Sequence, residues 1–129
     1  MADDALDLFL RGETDGRTFR HLDHLRMGFE LLRRASFTQA AAAFSASLKI
    51  IAARNGTPGA YHETMTVAFL ALIAEHAACG AYTDFEEFIA ANPALADKRI
   101  LQRWYGAERL GSALARKTFI LPERQGGPT

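Results

Sequence analysis

Three of the four histidines in this 129-residue chain stand at the heads of two candidate helices: His21 and His24 in one, His62 with Glu63 beside it in the other. The i, i+3 spacing of His21 and His24 puts their Cβ atoms roughly 5–6 Å apart on one helix face, so both rings can reach one point. If the two first turns pack side by side, His21, His24 and His62 offer three imidazoles, with Asp23 or Glu63 as a neighbouring carboxylate. That donor set suits a divalent metal such as Zn or Fe. The metal demands that each ring nitrogen come within about 2.0–2.1 Å of the ion, as for zinc. The same set also suits a polar small ligand, with Arg26 holding an anion, Tyr61 at the wall and Glu63 as the candidate catalytic base. Glu63 in a first helical turn has a plainer reading as a partner of the helix dipole. Gly28 lies one turn beyond His24 on the same face, and a glycine inside a helix costs about 1 kcal/mol, so it marks either close helix packing or a ligand seat. His76 lies fourteen residues beyond His62, about 21 Å along the same helix, and stands outside the set.

The elements that must position these residues are helical. Alanine-rich stretches, caps and the near absence of β-branched runs predict an all-α chain, a single compact bundle of five or six helices with a long, buried central helix. Asp3 or Asp4 opens a short helix carrying Leu6, Phe9 and Leu10, stopped by Gly12. Gly12 to Arg17 is a polar loop, and Thr18 caps a second helix to about Arg34, with Leu22, Leu25, Phe29 and Leu32 inward and Arg20, Asp23, Glu30 and Arg34 outward. Ser36 with Gln39 forms a capping box for a helix from Phe37 to about Arg54, stopped by Asn55-Gly56, with Ala40, Phe44, Leu48 and Ile51 as its stripe. After the turn at Thr57 to Gly59, Tyr61 to Cys79 reads as the central helix. Thr83 with Glu86 opens a helix through Phe85, Phe88 and Ile89 that ends at Asn92-Pro93. A further helix runs from Ala94 to Tyr105 with Leu95, Ile100, Leu101 and Trp104, and Ser112 caps a last turn. The chain is then one domain over residues 1–129, with an N-terminal helix and loop at 1–17 and an extended tail at 118–129, where Phe119 and Leu121 dock on the core. The expected core is Leu25, Phe29, Leu32, Phe44, Leu48, Phe69, Leu72, Ile73, Phe88 and Trp104.

Composition excludes several classes. Fifteen basic residues balance 15 acidic ones and 49% of residues are apolar, which is neither a disordered chain nor a nucleic-acid or anionic-membrane binder. The basic stretch from Lys98 to Lys117 reads as a solvated helix face. The longest apolar run, Val67 to Ala74, is far short of the ~20 residues that span a bilayer. One cysteine and no export-signal pattern point to the reducing cytoplasm. Cys79, in an apolar stretch with His76 near it, reads as a buried, inert thiol. Gly106 to Ser112 has phosphate-loop glycine spacing but Ser in place of the required Lys. His62-Glu63 opens like a zinc-protease helix but has Thr66 where the second His is needed.

The pattern Phe19-x-His21-x-x-His24-x-Arg26, Tyr61-His62-Glu63-Thr64-x-Thr66, then Tyr105, Leu110-x-Ser112, Ala115-Arg116, Phe119 and Pro122 resembles an uncharacterised family of small bacterial helical proteins. The resemblance covers roughly residues 19–123. It marks His21, His24, Arg26, Tyr61, His62 and Glu63 and carries no activity, cofactor or substrate with it. A weaker similarity, in Ala40, Phe44 and Leu48 and in Gly80-x-Tyr82-x-x-Phe85, is to tetratricopeptide hairpins, without a common 34-residue period. Two functions follow: a binding protein or enzyme using the His cluster between two helices, or a helical protein-protein interaction module with no catalytic site. The expected partners are accordingly a small molecule or another protein, a homodimer included, and neither nucleic acid nor membrane.

Overall fold

A computed structural model describes residues 2–123. Among them there is no strand, and the chain forms seven α-helical segments with three short 3₁₀ turns, an all-α bundle with slightly more helices than expected. They are α1 (Ala2–Leu10), α2 (His21–Leu32), α3 (Phe37–Arg54), α4 (Glu63–Ala78), α5 (Phe85–Ala91), α6 (Ala107–Leu110) and α7 (Ala113–Lys117). The 3₁₀ turns are Pro58–Ala60, Pro93–Ala96 and Ile100–Arg103.

The helix ends follow local chemistry. Ser36 Oγ accepts from the Gln39 N–H while the Gln39 side chain accepts from the Ser36 N–H, a reciprocal box that starts α3. Gly56, at φ +76°, takes the left-handed conformation that ends it. The second helix starts at His21 rather than near Thr18, because the Asp23 carboxylate accepts from the Arg20 N–H and makes Arg20 the residue before the first turn. In α4 the capping residue is His62, so the helix proper starts at Glu63. The expected single helix from Ala94 to Tyr105 is broken into two 3₁₀ turns, with Asp97 Oδ1 accepting from the Arg99 N–H between them. Short polar side chains that satisfy nearby backbone groups compete with the helix in this way.

Helices α2, α3 and α4 pack on one another, α1 covers α2 and α3, and α7 covers α4. The stripe Ala40, Phe44, Leu48 and Ile51 of α3 is buried as its spacing requires. One cluster joins Phe9, Met27, Leu31, Phe44 and Leu70. A second joins Phe29, Ile73, Phe85, Phe88, Leu95 and Tyr105. Burying a large apolar side chain is worth roughly 1.5–3 kcal/mol each. The central helix shares its burial with α2, since each has six buried residues. Glu30 is also buried rather than solvent-facing, with Arg33 4.0 Å away. Trp104, at the end of the Ile100–Arg103 turn, is 40% exposed, and Tyr105, at 3%, takes the core place expected of it. Cys79 is a free, exposed thiol at the end of α4 rather than a buried one.

Beyond α7 the chain runs without regular structure to Glu123, fastened by specific hydrogen bonds. Thr64 Oγ1 donates to the Thr118 carbonyl at 2.8 Å and accepts from the Ile120 N–H at 3.1 Å, and Tyr105 Oη donates to the Ile120 carbonyl at 2.7 Å. Ile120 therefore docks on the core, while Phe119 and Leu121 are exposed. Residues 124–129 of the expected tail lie outside the described residues.

Candidate functional site

The first turns of α2 and α4 and the middle of α3 border a cavity of about 550 Å³ that is open to solvent on one side. His21, His24, His62 and Tyr61 all line it. Its deep wall is Leu25, Phe44, Leu48, Ile51 and Ile73, all buried, with Thr66 as a buried hydroxyl. Phe69 and Met65 complete the apolar part, and the mouth carries the exposed residues Arg17, Arg20, Asn55, Thr57 and Lys98.

The three imidazoles share this space but do different work. His62 Nδ1 accepts from the Met65 N–H at 3.1 Å, which caps α4, and Nε2 lies 2.7 Å from the Leu110 carbonyl. A carbonyl only accepts, so Nε2 carries the proton and both ring nitrogens are committed. His21 Nε2 donates to the Leu95 carbonyl at 3.0 Å, and its ring meets the Phe69 ring edge-on at 4.9 Å, leaving only Nδ1 uncommitted. The His24 ring packs against Phe19 at a tilt of 36°, with centroids 4.4 Å apart, and makes no hydrogen bond among the described residues. No sealed side-chain nitrogen or oxygen lacks a partner among those residues, so the His24 nitrogens open onto free space. Burial pushes the His24 pKa down from 6.5 to about 4, with the neighbouring His21 acting in the same direction and Asp23 opposing it. His24 is a neutral imidazole near neutral pH, able to donate one hydrogen bond and accept one.

In this geometry His21, His24 and His62 are not arranged as a metal site. His62 has no lone pair left to give, and among the described residues no group of three or more His, Cys, Asp or Glu side chains is placed to hold a metal ion. Glu63 is likewise not a base facing the cavity. Tyr61 Oη donates to Glu63 Oε1 at 2.6 Å, so Ser45 Oγ, 2.7 Å from the same Oη, must donate to it. That chain fixes the Tyr61 ring on the cavity wall, with Lys49 Nζ 5.1 Å from the ring centroid. Desolvation first, and the bond to Glu63 second, raise the Tyr61 pKa above its usual 10 and keep the phenol protonated.

Arg26 and Gly28, expected as ligand contacts, lie elsewhere. Arg26 faces the opposite side of Phe19, ion-pairs with Glu86 and sits 4.7 Å over the Phe85 ring. A Cβ on Gly28 would meet Ile73 Cδ1 at 2.9 Å and Leu70 Cδ1 at 3.0 Å, so this glycine serves close packing of α2 on α4. Thr66, Phe69, Arg20 and Lys98 are cavity residues that spacing did not single out. Lys98 reaches it from the turn between the two 3₁₀ segments, for which no periodicity gives a signal. No protein-family model, curated protein or solved structure matches this chain.

Proposed function

We propose that this protein binds a small organic molecule in the cavity between α2, α3 and α4, with polar groups of the ligand read by His24 and His21 Nδ1 and its apolar part held by Phe44, Leu48, Ile51, Phe69 and Ile73, while Tyr61 and Thr66, whose hydroxyl protons go to Glu63 and to the His62 carbonyl, shape the wall. The observation that carries the reading is His24, a neutral imidazole with no hydrogen-bond partner among the described residues, opening onto a cavity of about 550 Å³. Ligand pockets have roughly this size, in the range of about 300–1,000 Å³, and combine an apolar wall with a few placed polar groups. Ring nitrogens that open onto the cavity and bond to no protein group are free to pair with a ligand there. No helix of the described residues is long and apolar enough to cross a membrane. A free Cys79 thiol supports a place in the reducing cytoplasm.

The test is titration with 1-aminoanthracene, an uncharged fluorophore that brightens in apolar surroundings. Saturable binding of one molecule per chain is expected, abolished by Ala52→Phe or Ala60→Trp, which fill the lining and the mouth. No saturable binding, or binding untouched by both variants, contradicts the cavity reading and leaves the helical interaction module as the better account.

A further inference from the structure

The cavity's charge is one-sided. Among the described residues no carboxylate lines it, whereas its mouth carries three cations, Arg17, Arg20 and Lys98. Arg17 is taken by Asp15, which accepts two hydrogen bonds from its guanidinium at 3.1 Å each. Asp23, the acid nearest Arg20 in sequence, turns its carboxylate to the Arg20 N–H and lies against the smaller space beside Arg26, and Asp97, next to Lys98, is taken by the backbone N–H and side chain of Arg99. Arg20 and Lys98 take part in no salt bridge among the described residues. Two uncompensated cations therefore stand at the rim of a chamber whose deep wall is Leu25, Phe44, Leu48, Ile51 and Ile73. Charged groups at the mouth of a low-dielectric cleft concentrate their field there and attract the opposite charge.

Resting on the cavity reading, we infer that the ligand is an anionic amphiphile: a carboxylate or phosphate head held at the mouth by Arg20 and Lys98, and an apolar body running inward past His24 to Phe44 and Ile73. An ammonium head would meet two like charges and no acid. An uncharged head would leave both cations without a partner but would still place its body on the same wall. The uncommitted imidazole nitrogens inside, those of His24 and His21 Nδ1, then serve oxygen or hydroxyl substituents along the ligand rather than its charge.

The experiment is displacement of 1-aminoanthracene by three ten-carbon probes that differ only in the head, decanoate, 1-decanol and decylamine, at pH 7.5 and low salt. Decanoate is expected to displace the dye at least about tenfold more tightly than either other probe, since hydrogen bonds to charged groups exceed neutral ones by that order. The matched ten-carbon decyl phosphate should bind at least as tightly as decanoate, and a phosphate head that binds no better than decanol would contradict the anion site. In Arg20→Gln/Lys98→Gln the decanoate preference should vanish while decanol and the dye bind as before, and raising the salt should erode it in the unaltered protein. If decanol equals decanoate in the unaltered protein, the cavity reading stands and the anion is refuted. If decylamine binds best, the sign is refuted. If the dye itself finds no site, both readings fall together, which separates that outcome from the other two.

Discussion

The two ends of the α2/α4 contact belong to the same pair of helices, are built from different kinds of residue and behave in opposite ways. At the Gly28 end the helices close until Ile73 and Leu70 would touch a single added methyl carbon at 2.9 and 3.0 Å. One turn back, at His24, the same pair of helices leaves a cavity of about 550 Å³. What holds the second end open is polar: His62 and His21 are pinned by backbone carbonyls from Leu110 and Leu95, and Tyr61 by Ser45 and Glu63. Apolar side chains collapse into whatever space they are given, whereas groups tied by directional hydrogen bonds stay where the bonds hold them. The comparison of His62 with His24 carries the same lesson, since one imidazole has both nitrogens committed and its neighbour has neither.

The sharpest way to break the contrast is at the closed end. Gly28→Leu should destabilise the protein by about 3 kcal/mol or more, because a packed core has no room for the added atoms. Chemical denaturation measures it, and a loss within experimental error would mean the helices are not in contact there. Next in size is a pH effect at the open end. The His24 pKa is lowered on folding from 6.5 to about 4, so the unfolded chain binds the extra proton between those values and stability falls as pH drops through that window. The loss should reach about 3 kcal/mol at pH 4 and be absent above pH 7. His24→Phe should flatten that part of the profile, and an unchanged profile would place the proton uptake elsewhere.

His62→Ala removes both a helix cap and the tie to Leu110, and should cost about 2 kcal/mol. His62→Asn should recover the capping part, and equal losses for both variants would deny that His62 caps α4. The smallest effect is expected of Ser45→Ala, about 1 kcal/mol, because Tyr61 keeps its bond to Glu63. Thermal melts resolve that ranking.

Much of the fold was legible because helix ends are written locally. Ser36 with Gln39 and Asn55 with Gly56 bound α3 within a residue, and the 3.6-residue stripe named its buried face. The reading failed where two local options compete: Asp97 took the backbone that a continuous helix from Ala94 would have used, and Tyr105 displaced Trp104 from the core. At the site, the i, i+3 pair, His62 and Tyr61 were found by type and spacing, and they do line one cavity. Which nitrogen each ring had left was not legible, since the deciding partners, the carbonyls of Leu95 and Leu110, lie 74 and 48 residues away. Histidine is also outside the usual set of capping residues, so its role at the head of α4 carried no cue.

The central claim is that His24, unlike His62, is an uncommitted neutral imidazole facing a cavity that a ligand enters. Imidazole ¹⁵N NMR tests it, measured across pH 3.5 to 8 in the free protein and at pH 7.5, where the probe is ionised, with and without decanoate. His62 should show the Nε2–H tautomer with Nδ1 as acceptor, unmoved by decanoate. His24 should titrate near 4 in the free protein and shift on addition of decanoate. A His24 that titrates at the ordinary 6.5 and ignores decanoate, or a His62 that responds in its place, would contradict the account.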